Sequence, residues 1–411
     1  FDLALKHFLT KVNNTDIKDR TPKVDSTNYG QINSNGQEIT TMTYTTIKDP
    51  IRVENQDTVK FTIRIYNEGT QDGYASLIRN EISESLEYLP ESEINKKYGW
   101  IYVDEANQSV QDMSKVKYLA TDYLSKAKEK NKDDNLIKYF NSKTMTTPEY
   151  KEVEIEFRIK ENVPQNRIII NKAEIAEDTD SSGNQVDDQD SASSKWTDGE
   201  DDQDIEQLYE KYFDLALKLN IQNISTIKDG IETINPANLQ NPKETIRIEK
   251  NKNELENTVY KIQYLITILN QGEIPGYATE IIDYVPTGLK FNPADNPKWK
   301  MIEGRLVNKE LKNDIINPGE SKTTTITLTW SEETENSKMM SNVAEIGQAA
   351  NHSNTPDINS KPNNNNDKEN DQDNSDIIII KKEKNTKAII IITIIAFLIV
   401  ITGGTIIIKK F

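Results

Sequence analysis

The densest concentration of metal-capable side chains lies between residues 178 and 190, where Asp178, Asp180, Asn184, Asp187, Asp188 and Asp190 surround Gly183. Carboxylates at alternate positions ahead of a glycine let several oxygens converge on one hard cation, so the run is a candidate calcium loop, and calcium is the one cofactor the sequence suggests. The run lacks the terminal bidentate glutamate of the full calcium-loop pattern. The competing reading is an acidic, solvated linker, which a net charge of −17 makes ordinary. Other chemistries are short of parts. With no cysteine and two histidines, His7 and His352, the chain cannot assemble a thiolate or histidine metal centre or a Ser-His-Asp triad. Paired carboxylates could serve glycoside hydrolysis, but no spacing singles out a pair and no Gly-rich phosphate loop is present, so catalysis is not expected.

A duplicated framework must position whatever chemistry remains. The string Phe-Asp-Leu-Ala-Leu-Lys occurs at residues 1–6 and again at 213–218. Residues 59–67 align without gaps with 262–270, Gly69 with Gly272, Gly73-Tyr74-Ala75 with Gly276-Tyr277-Ala278, and Trp100 with Trp299 after a small shift. Asn171-Lys-Ala-Glu-Ile175 pairs with Asn342-Val-Ala-Glu-Ile346, and Asp201-Asp-Gln-Asp204 with Asn370-Asp-Gln-Asp373. A copy of that length is a whole domain, since solenoid periods lie at about 20–50 residues. Within each copy the apolar residues alternate. Phe1, Leu3, Leu5, His7 and Leu9 share one face, and runs rich in Thr, Ile, Val and Tyr are separated by Asn/Asp/Gly turns, the pattern of half-buried strands. The first copy carries an insertion, in which Asp133-Asp134 precede Leu136, Ile137 and Phe140 and predict a short helix, with residues 116–125 a second candidate.

Composition bounds the setting. Acidic residues outnumber basic ones 67 to 50, which argues against a nucleic-acid partner. Residues 388–408 carry no charge and are long enough to cross a bilayer once. The predicted organisation is a β repeat over 1–177, an acidic connector with the calcium loop over 178–208, a second β repeat over 209–350, an Asn/Asp-rich stalk over 351–387, a transmembrane helix over 388–408 and a cytoplasmic tail over 409–411. The absence of an initiator methionine places a cut between domains, with upstream domains of the same polypeptide as neighbours.

These landmarks resemble the conserved repeat domains of Gram-positive bacterial surface proteins, Ig-like modules of collagen-adhesin-type stalks. The residues that carry the resemblance are the Phe-Asp-Leu-Ala-Leu opening, the Asn-x-Gly turns at Asn67 and Asn270, the Ile-x-Asp-Tyr-Val-Pro-x-Gly-Leu run from Ile281 to Leu289, the Asn-x-Ala-Glu-Ile strand, and the Glu-Asp-Asp-Gln-Asp terminator that begins at Glu200. The resemblance implies an all-β chain of two tandem Ig-like antiparallel β-sandwiches, displayed at the cell surface with the membrane helix as anchor. It also implies a place for a covalent isopeptide bond between a first-strand lysine and a last-strand asparagine, assisted by a buried acid. Asn171 and Asn342 lie on the inward phase of their strands, and so does Asp283. The lysine position is His7 in one copy and Leu219 in the other, and Asp283 is replaced by Asn80, so a relic without a bond is expected.

The function expected from this reading is a non-catalytic stalk or adhesin module on the outer side of the cell membrane, with a host matrix protein or glycan as partner. The alternative is a carbohydrate- or protein-binding receptor domain, and a surface hydrolase comes far behind. Trp100, Trp196, Trp299 and Trp330 are the aromatics that a glycan groove would expose, although Trp100 and Trp299, matched in both copies, read as core.

Overall fold

The computed structural model describes residues 1–382 apart from 37, 162–164, 190, 192–195, 198, 238–243 and 332–338. The expected membrane helix at 388–408 and tail at 409–411 lie outside the described residues. Among those described, no helix is long and apolar enough to cross a membrane. The chain is all-β and divides into two compact units, Phe1–Lys211 with Ser353–Thr355, and Tyr212–His352 continued from Pro356.

In the first unit, a five-stranded sheet runs in the order Thr15–Asp16, Leu3–Val12, Thr58–Asn67, Tyr150–Ile159, Leu86–Tyr88. It faces a six-stranded sheet ordered Ile51–Val53, Gln203–Glu210, Ile168–Asp180, Gly73–Glu81, Tyr118–Thr121, Ile101–Val103. The second unit repeats both orders. Its five strands are Ile231–Pro236, Leu215–Lys228, Thr258–Asn270, Ser321–Ser331 and Lys290–Phe291, and its six are Ile246–Asn251, Gln372–Lys382, Met339–Asn351, Gly276–Tyr284, Arg305–Asn308 and Trp299–Ile302. Pairing is antiparallel except at one edge of the larger sheet, where Gln203–Glu210 meets Ile51–Val53, and Gln372–Lys382 meets Ile246–Asn251, in parallel. Each opening strand carries the same irregularity, between Leu9 and Lys11 and between Ile221 and Asn223. The inward residues of the two sheets close one apolar core per unit, centred on Leu5, Phe61, Ile78 and Phe157 in the first and on Leu217, Ile266, Ile281 and Leu328 in the second.

The repeated Asn-x-Gly turn has a packing cause. Asn67 Nδ2 donates to the carbonyls of Gln71 and Ile137, both at 2.9 Å, while its Oδ1 accepts from Gly69 N at 3.0 Å. A Cβ on Gly69 would sit 2.7 Å from Asp2 N, and one on Gly272 would sit 2.6 Å from Asp214 N. The opening strand therefore passes so close that no side chain fits. Gly73 and Gly276 give way to the rings of Phe1 and Phe213 in the same manner, which ties the first residue of the repeated string to the Gly-Tyr-Ala landmark.

Several expectations need correction. The connector does not stop short of the fold, because Gln203–Glu210 is an internal strand of the first unit, and the units divide after Lys211. Its alternation was masked because the buried phase includes two acids, Glu206 and Glu210, beside Leu208. The stalk is also partly structured. Gln372–Lys382 is the equivalent strand, with Ile377 and Ile379 buried, and Asn364 and Asn365 donate their backbone N–H groups to Glu345 Oε1 at 2.6 and 3.1 Å. In the insertion, the run after Asp133 forms no helix. Asp133 takes a positive φ of 65°, and Leu136, Ile137 and Phe140 are buried in extended chain, with Ile137 bridged to Gly73. The second helix candidate is the strand Tyr118–Thr121. An α-helix does form nearby at Glu93–Tyr98, where Ser92 caps one end by accepting from Ile94 N and Gly99 leaves the other in the left-handed region, and short 3-10 turns form at Met113–Lys115 and Lys126–Lys128.

Candidate functional site

The residues of the expected isopeptide relic do meet inside each core. In the first unit, Asn80 and Asn171 stand on neighbouring strands and exchange two side-chain hydrogen bonds, Nδ2 to Oδ1, at 2.8 and 2.9 Å. His7 comes from the facing sheet, is wholly buried, and lies against Phe61 with ring centroids 5.1 Å apart. Burial, followed by the charge of Lys48, holds its imidazole well below the usual histidine range, so it is neutral. The backbones of Asp204 and Asn171 pull the other way, yet neither ring nitrogen completes a hydrogen bond.

In the second unit Asn342 Nδ2 donates to Asp283 Oδ2 at 2.8 Å. Burial pushes the Asp283 carboxyl up to about 7, with the Asn342 bond acting against it. Asp283 Oδ1, Asn342 Oδ1 and the Tyr264 hydroxyl find no partner. The Tyr264 hydroxyl, raised by burial and then by the charges of Asp283 and Asp376, stays protonated. Leu219 holds the position of His7 and is fully buried. An acid and a carboxamide are thus in place, and the position that would bring the amine holds Leu219. A lysine does reach the first unit's opening strand by another route. Lys48 Nζ donates to the carbonyls of His7 at 2.6 Å and Ile205 at 2.7 Å, and to Asp204 Oδ2 at 2.8 Å, outside the core.

The candidate calcium ligands divide, with Asp180 and Asn184 in one turn and Asp178 beside Asp187 and Asp188. Asp180 Oδ1 accepts from the backbone N–H groups of Ser182 at 2.8 Å and Asn184 at 2.9 Å, and its Oδ2 accepts from Asn184 Nδ2 at 3.1 Å. Those two residues close an exposed turn on themselves. Asp188 Oδ2 accepts from Leu3 N at 2.9 Å. Asp178 is buried and pushed up to about 7 by burial and by the charges of Asp188 and Asp187. Asp190 lies outside the described residues. Among the described residues, no three His, Cys, Asp or Glu side chains stand together in a way that could hold a metal ion.

What the acids do instead is visible in both copies. Leu3 N donates to Asp188, and Leu215 N to Asp357 at 2.8 Å. His7 N donates to Asp204 Oδ2 at 2.7 Å, and Leu219 N to Asp373 Oδ2 at 2.9 Å. Between those bonds the carbonyl of Asp201 accepts from Leu5 N at 2.7 Å and that of Asn370 from Leu217 N at 2.8 Å. The next carbonyls, of Asp202 and Asp371, accept from Ile175 N and Ile346 N on the other sheet, each at 2.9 Å. The Asp-Asp-Gln-Asp terminator therefore stitches the two sheets together, satisfying the outer N–H groups of the opening strand that no strand pairs. Asp202 and Asp371 are buried there, pushed up to about 8 and about 7 by burial and then by surrounding acids, Glu200 foremost for the first and Glu345 for the second. In the first unit Glu206 adds a buried ion pair. Arg20 reaches it with Nη2 to Oε1 at 2.5 Å and Nε to Oε2 at 3.2 Å, and Leu9 N donates to Oε2 at 3.2 Å. The sequence marked the terminator as a landmark but gave no sign of this role, and Arg20, Lys48 and Tyr264 were not singled out. Tyr264 alone had a signal, a hydroxyl on the inward phase between Ile262 and Ile266.

The matched tryptophans are core residues. Trp100 and Trp299 are 5% and 4% exposed. Their indole nitrogens donate at 2.8 Å to the carbonyls of Glu154 and Thr325. Asn95 and Asn296 pin the same loops by accepting from Glu156 N at 2.9 Å and Thr327 N at 2.8 Å. Trp330 is fully buried, and Trp196 lies under Lys172 Nζ at 5.1 Å. Beside Trp100, an open groove of about 280 Å³ is lined by Tyr88, Pro90, Tyr102 and Gln111 among others. Beside Trp299, a groove of about 450 Å³ is lined chiefly by lysines and aliphatic side chains.

No family model matches the chain, and no curated protein matches it. Among solved structures, the CARDB domain of a Pyrococcus furiosus protein is 13% identical with a TM-score of 0.21, covering 42% of this chain and 99% of its own. The structure named BspA_C_mut is 9% identical with a TM-score of 0.26, covering 79% and 93%. Red sea bream transglutaminase is 6% identical with a TM-score of 0.20, covering 89% and 32%. At those scores the likenesses carry no argument, and the fold and the site rest on the geometry above.

Proposed function

We propose that the chain is a non-catalytic module of a cell-surface protein, a stalk or adhesin segment of the bacterial repeat type it resembles. The observation that carries this reading is the duplication of the stitching itself. Asp188 and Asp357, Asp204 and Asp373, Asn67 and Asn270, and Asn95 and Asn296 make the same bonds in both units. The buried polar groups common to the two copies serve the framework, and a scaffold kept twice in the same detail is what a spacer is built from. In this reading residues 388–408 anchor the chain in the cell membrane, both units lie outside, and a host matrix protein or glycan is the partner. Protease added to intact cells should release the units, and complete protection in cells whose wall admits the protease would overturn the display. Hydrolysis of any member of a glycan panel by the purified chain would overturn the non-catalytic reading.

A second reading, a carbohydrate-binding domain, is favoured by the groove beside Trp100, where Tyr88 and Tyr102 stand edge to face at 5.4 Å. Aromatic walls with a few amides suit a neutral sugar. Binding of a neutral oligosaccharide that Tyr102→Ala abolishes would support it.

A further inference from the structure

The outer face of the second unit's larger sheet carries an unusual combination at its Trp299 edge. Trp299 pairs with Asn308 and Met301 with Leu306, and Trp299 and Leu306 belong to the core, so this phase points inward at those two residues, while Met301 runs past the core's edge and is exposed. The opposite phase sets Lys300, Ile302, Val307 and Lys309 on the outside, where they line the groove of about 450 Å³ with Lys298 and Lys312. Val307 is 3% exposed and covered by its neighbours, which leaves Ile302, 40% exposed, as the apolar surface of the groove. Two of the four lysines are tied within the fold, Lys298 to Glu310 and Lys309 to Glu280, the latter at 2.9 Å. Among the described residues, Lys300 and Lys312 have no such acid. In a chain of net charge −17, this is a cationic trough with the exposed Ile302 among its lysines.

The equivalent place in the first unit shows that the charge is not demanded by the fold. Counting from the matched tryptophans, Lys300 corresponds to Ile101 and Ile302 to Val103. The groove there holds a single lysine, Lys96, which pairs with Glu91 at 2.8 Å. The two copies keep the tryptophan and its hydrogen bond but differ in what they place around it.

We infer that this trough binds a sulfated polysaccharide. Ammonium groups on flexible stems attract anionic groups spaced along a chain without demanding a fixed geometry, whereas forked recognition of phosphate or carboxylate favours arginine. The nearest arginine, Arg305, is bonded to Asn363 instead. The exposed side chain of Ile302 suits the C–H face of a sugar ring, a surface that polyphosphate does not offer. Long-range repulsion by the rest of the chain means that only a local cluster of this kind can hold a polyanion, and that salt weakens it. The inference stands apart from the neutral-sugar groove of the first unit and from membrane anchoring.

The test is calorimetric titration of the whole chain with heparin as probe, alongside neutral dextran, inorganic polyphosphate and poly-glutamate, at low and at physiological salt. Heparin should bind at both, and K300E/K312E, which leaves both internal ion pairs intact, should weaken it by about tenfold or more. K300Q/K312Q serves as a milder variant, with circular dichroism as the check on folding. K18E/K115E, which changes the net charge equally on the first unit, should leave heparin binding within about twofold. No heparin binding at physiological salt, equal weakening by the K18E/K115E control, or equal affinity for polyphosphate or poly-glutamate would each overturn the inference.

Discussion

Replacing Asp283 with asparagine should stabilise the second unit, and should do so only as the pH rises. Burial holds the Asp283 carboxyl at about 7 against an ordinary 3.8, so the folded state keeps a proton that the unfolded chain has released. Because the folded value is the higher one, the stability attached to that proton is complete below pH 3.8 and is lost as the pH climbs through about 7. The separation between 3.8 and about 7, at about 1.4 kcal/mol per pH unit, gives a loss of about 4 kcal/mol once the acid is ionised. The first unit displays the substituted arrangement. Asn80 and Asn171 exchange two hydrogen bonds, whereas Asp283 and Asn342 make one and leave Asp283 Oδ1 and Asn342 Oδ1 without a donor. An asparagine at 283 would donate to the empty oxygen, as Asn80 and Asn171 donate to each other in the first unit. Urea unfolding of parent and D283N chains, read at about pH 4 and about pH 8.5, should give little difference at the first and a gain of about 2–4 kcal/mol for D283N at the second. Equal effects at the two pH values, or a loss at the higher one, would refute the argument.

Other outcomes follow from the same contacts. Arg20→Met leaves Glu206 buried without its cation and should cost the first unit about 3–5 kcal/mol, while R20M/E206L should recover most of it in the same urea assay. Leu219→Lys brings an amine to the one position that lacks it, beside a protonatable acid and a carboxamide. Intact mass spectrometry should then show the loss of one ammonia, whereas the parent chain keeps its full mass, and an unchanged mass in L219K would mean that Asn342 is out of reach. Millimolar calcium should leave the melting temperature unchanged, because Asp180 and Asn184 bond each other; a calcium-dependent rise would restore the loop as a cation site.

The sequence by itself determined the duplication, the class and most of the strands. Alternation is a property of neighbours along the chain, so Thr58–Asn67 and Thr258–Asn270 could be read from their Ile, Val and Tyr spacing, and the matched Trp100 and Trp299 could be assigned to the core. Gly69 and Gly73 were legible as turn and repeat landmarks, while the close approach of the opening strand that requires them belongs to the tertiary structure. Only the tertiary structure decided where the acidic segments go. Glu206 and Glu210 lie on the buried phase of a strand whose burial depends on partners far away in sequence, Arg20 among them, so local composition read that strand as solvated linker. The Asp-Asp-Gln-Asp terminator was legible as a repeat but not as a stitch, because the N–H groups it satisfies belong to the opening strand, about 200 residues earlier in the first unit. The lysine trough was hidden for a related reason: Lys298, Lys300, Lys309 and Lys312 look like scattered surface charge until the pairing of Trp299–Ile302 with Arg305–Asn308 folds them onto one face.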